Sequence, residues 1–205
     1  MKKLYLLLAL TLFTIGGCSL LRNHIIKEKR KAFVHLVAVS EVAPGLAMPM
    51  SMASGFIIAN EGRRSVVLTA AHFCLRNMEA KEISFHDDFY ISTLDERTIA
   101  VDPFIDVCLL GTPHIGGGSV KFSPYPPDIA DEVINISAPA GMVDQDMVMI
   151  YEGRFMGEKQ KCTSHKKCAI YNIPAYPGSS GSFILDSNGR LIGMVSATVG
   201  GFFHM

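Results

Sequence analysis

The sequence predicts an all-β protein. Between residues 32 and 197, short apolar and β-branched runs alternate with turns rich in Gly, Pro and Asn. No amphipathic helical pattern extends beyond two or three turns. Many short strands separated by such turns are typical of a β-sandwich or a β-barrel.

The predicted strands follow one another along both halves of the chain. They cover 32–40, 53–60, 64–72, 82–86, 97–102, 106–111, 132–139, 147–157 and 168–174. Residues 181–197 are typical of a hairpin, because two apolar runs flank Ser187-Asn188-Gly189, and Asn-Gly favours a primed turn. Residues 111–128 have many Gly and Pro and little periodicity, so they predict a connection between two halves.

The N-terminus has the layout of an export signal. A basic start precedes an apolar run from Leu4 to Ile15, which is followed by small residues. The stretch IGGC resembles a bacterial lipobox, in which Cys18 becomes the lipidated first residue. We therefore predict a signal peptide at 1–17 and a lipid-attached basic tether at 18–31, near anionic headgroups. Ordinary cleavage near Gly17 or an uncleaved anchor are the alternatives.

The charge balance indicates no nucleic-acid partner. The 205 residues carry 19 Lys and Arg against 19 Asp and Glu, and nothing in that balance points to nucleic acid. The length fits one large domain or two small halves that share a core.

The cysteines fit an exported protein, because disulfides persist in oxidising compartments. With Cys18 set aside for lipid, four cysteines remain, and they allow three pairings. We favour Cys74–Cys108 and Cys162–Cys168, with buried free thiols at 74 and 108 as the alternative.

The stretch CTSHKKC also suggests a metal site, since His165 lies between two cysteines. A structural zinc needs four ligands, and no further close pair of ligands is evident. We predict that the chain holds no metal.

Three stretches carry the residues needed for nucleophilic catalysis by a serine. A serine hydroxyl needs a base within hydrogen-bond reach, and the base needs an orienting carboxylate. YPGSSGSFI offers the serine, LTAAHFC offers His72 after an apolar strand, and FIDVCLLG offers Asp106 at the head of a strand. An unpaired buried carboxylate is costly, and a histidine N–H can be its partner.

The motifs SGFII, LTAAH, DVCLL and PGSSGS resemble, in this order, the landmarks of trypsin-like (chymotrypsin-fold) serine peptidases of the compact, bacterial HtrA-like type. The order His, Asp, Ser distinguishes this family from subtilisins and α/β-hydrolases. The resemblance implies a peptidase domain at 32–205 built from two packed antiparallel six-stranded β-barrels. Barrel one would cover about 32–115 and barrel two about 119–205, with the active site in the cleft between them.

The resemblance also implies roles for individual residues. His72 matches the general base, Asp106 its orienting carboxylate and Ser180 the nucleophile. The amides of Gly178 and Ser180 would form the oxyanion hole. Ser180 is preferred to Ser179 because the family pattern is Gly, any residue, Ser, Gly.

Some positions leave alternatives open or depart from the family. Asp102, Asp95 and the His-Asp-Asp cluster at 86–88 are alternatives to Asp106, although they are more typical of solvated loops. Ser179 stands where many members have an acidic residue, so activation by a newly freed N-terminus is not expected.

The substrate pocket is less well defined by the motifs. By the resemblance, Pro174 and Ala175 lie near its base, and Ser196, Ala197 and Thr198 along its wall. No acidic residue occupies the base, so the pattern favours a small or medium apolar side chain over Lys or Arg.

These inferences together predict a serine endopeptidase that works through an acyl-enzyme, needs no cofactor, and acts on proteins or peptides. It would be exported to a bacterial cell envelope (periplasm or outer membrane) and bound to the membrane through its lipid. One alternative is a catalytically silent trypsin-fold lipoprotein that serves as a binding or scaffold module. Another is a thiol or metal protein that uses Cys162, His165 and Cys168.

Overall fold

The computed structural model describes residues 20–44, 46–77, 82–85, 98–113, 117–139, 147–163 and 166–196. The predicted signal peptide, the Cys18 lipidation site, Asp95 and the cluster at 86–88 lie outside these residues, as do Ala197 and Thr198 of the predicted pocket. In this part of the chain, no helix is both long and apolar enough to cross a bilayer.

Antiparallel strands from the first half of the chain form one sheet. Its six strands are β1 Phe33–Ala43, β2 Leu46–Glu61, β3 Arg64–Ala70, β4 Glu82–Phe85, β5 Thr98–Asp102 and β6 Val107–Pro113. Their order across the sheet is β4-β1-β2-β3-β6-β5. A short helix, α2 (Ala71–Arg76), follows β3 directly.

A second sheet comes from the second half. Among the described residues it has five strands, β7 Glu132–Ser137, β8 Met149–Thr163, β9 Lys166–Tyr171, β10 Phe183–Leu185 and β11 Leu191–Met194. Their order is β11-β10-β7-β8-β9. The all-β class and the two-part architecture are therefore confirmed, whereas the number of six strands in the second barrel stays a prediction.

The two sheets share one apolar core. Buried side chains of β1, β2, β3 and β6 pack with Ile134, Ile136 and Phe183 of the second sheet. The rings of Phe56 and Phe183 meet edge to face, with centroids 5.3 Å apart. Aromatic pairs in this geometry contribute roughly 0.5–1.5 kcal/mol beyond the area they bury. This core holds the two halves at a fixed distance.

The start of β2 and the turn between β10 and β11 differ from the predictions. Strand β2 begins at Leu46, seven residues earlier than expected, because it pairs with β1 and places Pro49 at a register shift, where a proline is tolerated. The predicted hairpin of β10 and β11 is confirmed, but its turn is not primed. Among the described turn residues only Gly189 has a positive φ, and the Asp186 carboxylate accepts the N–H groups of Asn188 and Arg190.

The segment predicted as a basic tether contains a helix, α1, at residues 20–30. Ile25 and Lys29 lie on one face, one turn apart, and pack so closely on Gly189 that a Cβ there would lie 2.7 Å from Ile25 and 3.0 Å from Lys29. Arg22 forms a 2.7 Å ion pair with Glu152 of β8. The residues after position 19 therefore dock on the second sheet, and the lipid attachment stays a prediction.

One of the two favoured disulfides is present. Cys74 of α2 is bonded to Cys108 of β6, and both residues are fully buried. Cys168 is also disulfide-bonded. The Cys162 side chain and His165 lie outside the described residues, so the pairing Cys162–Cys168 stays a prediction. A disulfide-bonded Cys168 cannot serve as a thiolate ligand, which weakens the metal alternative.

We predict that the double substitution Cys74→Ala/Cys108→Ala lowers the free energy of unfolding. The cross-link spans 34 residues, and the chain-entropy model assigns about 4 kcal/mol to a loop of that length. Urea unfolding of both proteins without reductant measures the difference. An unchanged unfolding midpoint would contradict the prediction.

Candidate active site

Strand pairing brings His72 and Asp106 together. Strands β3 and β6 are antiparallel, and their last paired residues are Ala70 and Val107. The residues just beyond this pair, at the end of β3 and before the start of β6, therefore face each other. The Ala71 N–H donates to the Asp106 carbonyl oxygen at 3.1 Å, which closes the sheet edge at this point.

The His72 ring is held by the Asp106 carboxylate. Its Nδ1 lies 2.9 Å from Oδ2 and 3.1 Å from Oδ1 of Asp106. The backbone N–H of His72 also donates to Oδ1, at 2.9 Å. A carboxylate at Nδ1 favours the tautomer with its proton on that nitrogen, which leaves Nε2 free to accept a proton. The His72 side chain is 43% exposed, so a substrate can reach it.

Asp106 itself is held in a specific conformation. Its φ is +54°, in the left-handed region that few residues other than glycine adopt. Strain of this kind persists where surrounding contacts over-determine the backbone, as the contacts from Ala71 and His72 do here.

A hydroxyl group also donates to the Asp106 carboxylate. The Ser196 hydroxyl donates to Oδ2 of Asp106 at 2.5 Å. Burial opposes ionisation of Asp106, but hydrogen bonds from the His72 side chain, Ser196 and the His72 backbone outweigh it, so the pKa of Asp106 lies below its usual value. The family resemblance implies for Ser196 only a place in the pocket wall. No sequence signal links it to Asp106, since 90 residues separate them.

The turn that carries Ser180 packs directly against the end of β3. A Cβ at Gly181 would collide with the Ser54 carbonyl oxygen and the Thr69 hydroxyl, and would lie 3.1 Å from the Ala70 nitrogen. Gly181 also has a φ of +85°, so only glycine fits here. Ser180 is thus bound next to the residues that lead into His72. Within the described part of the chain, however, no hydrogen bond joins the His72 ring to the Ser180 hydroxyl.

Two backbone N–H groups of this turn find no acceptor within the part of the chain that the structure describes. The neighbouring N–H groups of Tyr176, Ser179, Gly181 and Ser182 all donate hydrogen bonds within the protein. Those of Gly178 and Ser180 have no partner among the described residues. These are the amides that the sequence analysis assigned to the oxyanion hole, and they are available to an anionic oxygen.

The other residues singled out from the sequence form structural contacts or lie at the surface. Ser179 is buried, and its hydroxyl accepts the Tyr176 N–H at 3.2 Å, so it is not available as a nucleophile. Pro174 is exposed, and Ala175 packs against a second, smaller core cluster around Val133 and Phe155. Asp102 caps the turn after β5 by accepting N–H groups of Phe104 and Ile105. Asp102 therefore has a local structural role of its own.

The chain is similar to known proteins in sequence pattern and in fold. A family model for the trypsin-like peptidase domain matches residues 53–194. The active form of the Rv3671c protease from M. tuberculosis superposes with a TM-score of 0.66 at 18% identity, covering 88% of this chain and 76% of that one. The serine endoprotease from Yersinia pestis superposes with a TM-score of 0.63 at 16% identity, covering 87% and 58%. A comparison with curated proteins finds no significant match.

The lowered pKa of Asp106 predicts a pH-dependent contribution to stability. A depressed carboxyl pKa stabilises the folded state above the usual value of 3.8, and this contribution is lost as the pH falls through the lower folded pKa. Asp106→Asn should therefore reduce the free energy of unfolding most above pH 3.8, with a smaller difference at acid pH. Urea unfolding of both proteins across this range tests the prediction, and a difference that does not vary with pH would contradict it.

Proposed function

The chain belongs to the trypsin-like peptidase family, and on that premise we propose that it is a serine endopeptidase acting through an acyl-enzyme. The observation that carries the proposal is the position of the two unpartnered amides of Gly178 and Ser180. They lie in a turn packed on the strand end that leads into the His72–Asp106 pair. A base with an orienting carboxylate and a pair of free donors are the parts that acyl transfer requires.

In the proposed mechanism the Ser180 hydroxyl attacks the carbonyl carbon of the scissile peptide. His72 Nε2 accepts the hydroxyl proton and then gives it to the leaving amine. The Asp106 carboxylate holds the ring through Nδ1 and stabilises the imidazolium. The Gly178 and Ser180 N–H groups bind the oxygen that becomes negative, and losing one such donor typically costs about 100- to 1,000-fold in rate. A water molecule then hydrolyses the acyl-enzyme by the same route, and no step needs a cofactor.

We further propose that the substrates are proteins or peptides and that the protein works outside the cytoplasm, attached to the envelope membrane through Cys18. The disulfide between Cys74 and Cys108, together with the bonded Cys168, supports export, because such bonds persist in oxidising compartments. The sequence pattern at 1–18 supports the lipid anchor.

One observation favours the alternative of a silent binding or scaffold module. The described contacts include no hydrogen bond between the His72 ring and the Ser180 hydroxyl. Catalytic hydrogen bonds are often long in ligand-free proteins and tighten only when substrate binds. Activity assays must therefore separate the two functions.

We predict that a fluorophosphonate probe labels Ser180, because such probes react with a serine that a neighbouring base activates. The wild-type protein should be labelled and Ser180→Ala should not. Ser187→Ala is the matched control, since Ser187 is exposed in the β10–β11 turn, and it should be labelled like the wild type. Absence of labelling in all three proteins would favour the scaffold function.

For peptide hydrolysis we predict that Asp106→Asn lowers kcat by about 10⁴-fold, because the His72 ring is then held in the wrong tautomer. The assay is the rate of peptide cleavage by the protein without residues 1–18, with and without the substitution.

Cleavage of a peptide library by the same protein, with the new termini identified by mass spectrometry, gives the side-chain preference. A preference for Lys or Arg would contradict the prediction of an apolar pocket.

A further inference from the structure

Ser54 lies fully buried where the two sheets meet. It belongs to β2 of the first sheet, yet its hydroxyl and its backbone N–H together form three hydrogen bonds to residues of the second half, at 138, 178 and 180. Its third polar group, the carbonyl oxygen, accepts the Thr69 hydroxyl at 2.7 Å. Ser54 therefore connects the strand that leads into His72 with the turn that carries Ser180.

The Ser54 hydroxyl has a single orientation in this network. It accepts the Ala138 N–H at 3.1 Å and donates to the Gly178 carbonyl oxygen at 2.9 Å. A hydroxyl has only one proton to donate. Because the Ala138 N–H occupies an acceptor site, that proton is directed at Gly178.

We propose that Ser54 is a positioning residue that sets the oxyanion-binding geometry by holding the peptide group between Gly178 and Ser179 through its hydroxyl. The proposal rests on the proposed function, since it concerns the amides on either side of that peptide group. Gly178 N–H precedes the group, and Ser180 N–H follows it. Rotation of the group would change the angle between these two donors.

The peptide group at Gly178 needs such a partner. Gly178 is buried and has a φ of +90°. A buried carbonyl without a donor costs roughly 1–3 kcal/mol, and glycine has other backbone conformations open to it. If the hydroxyl is removed, Gly178 can rotate its carbonyl toward another donor and turn the neighbouring amides away from a common point.

A second bond separates this effect from a general loss of contact. The Ser54 backbone N–H donates to the Ser180 carbonyl oxygen at 2.8 Å. Alanine at position 54 keeps this bond. It also leaves the close packing of Gly181 against the backbone of β2 unchanged. Ser54→Ala therefore removes the hydroxyl's contacts to Gly178 and Ala138 while the turn stays attached to β2.

The test compares Ser54→Ala with Ser65→Ala in kcat, KM and the rate of fluorophosphonate labelling. Ser65 is the matched control because it is also fully buried in this sheet, where its hydroxyl donates to Asn60 at 2.7 Å. We expect Ser54→Ala to lower kcat and the labelling rate by about 10- to 100-fold with KM unchanged, as for a partly misplaced oxyanion donor. Ser65→Ala should leave both rates unchanged, and Ser54→Cys, with its weak donor, should be intermediate.

Inhibitor binding separates positioning from a structural role. A peptide aldehyde, which forms a tetrahedral adduct with Ser180, should lose affinity in Ser54→Ala by the same factor as kcat/KM. The uncleaved peptide should bind equally to Ser180→Ala and to Ser54→Ala/Ser180→Ala. Equal loss of affinity for aldehyde and peptide would overturn the proposal, because it would show a damaged binding site.

Amide hydrogen exchange tests the same contact without relying on activity. Exchange over 176–182 should be faster in Ser54→Ala than in the wild type and unchanged in Ser65→Ala. If the wild-type protein neither cleaves peptides nor reacts with the probe, the proposed function fails, and the exchange result alone decides whether Ser54 positions the turn. Unchanged exchange in Ser54→Ala, or unchanged kcat in an active enzyme, would overturn the inference.

Discussion

The contact between β2 at Ser54 and the turn at 178–181 is the constraint on which the site depends. His72 and Asp106 belong to the half of the chain that forms the first sheet and Ser180 to the half that forms the second, so the proposed chemistry requires both halves. At this contact Gly181 approaches the Ser54 carbonyl oxygen more closely than any side chain would allow. A missing Cβ and a buried serine thus determine how near the serine turn can come to the histidine.

The second organising feature is the Asp106 carboxylate. Its burial disfavours the charge, while three donor groups, two from His72 and one from Ser196, favour it. Because Ser196 follows β11, this carboxylate is also a contact between the two halves. The same group therefore orients the imidazole and ties the second half of the chain to the edge of the first sheet.

The apolar core and the disulfide lie next to these polar contacts and stabilise them. Phe56 lies two residues after Ser54 and Phe183 three residues after Ser180, and their rings pack edge to face. Cys74 and Cys108 each follow a member of the His72–Asp106 pair by two residues, and their bond holds the two segments together. Rigid apolar and covalent contacts next to the polar groups limit the movement of the groups proposed to act in catalysis.

The sequence by itself determined the all-β class and the β10–β11 hairpin, because strand periodicity and turn residues are local patterns. It favoured the Cys74–Cys108 bond over free thiols, and the family motifs implied the meeting of His72 with Asp106; the structure contains both. The sequence alone missed helix α1, the early start of β2 and the non-primed turn, where packing and side-chain hydrogen bonds outweigh local preference. Only the tertiary structure decided that Ser196 binds Asp106 and that Ser54 binds Gly178. Single hydroxyls that find partners 90 and 124 residues away leave no periodicity or spacing in the chain, since their roles arise only when the two sheets pack.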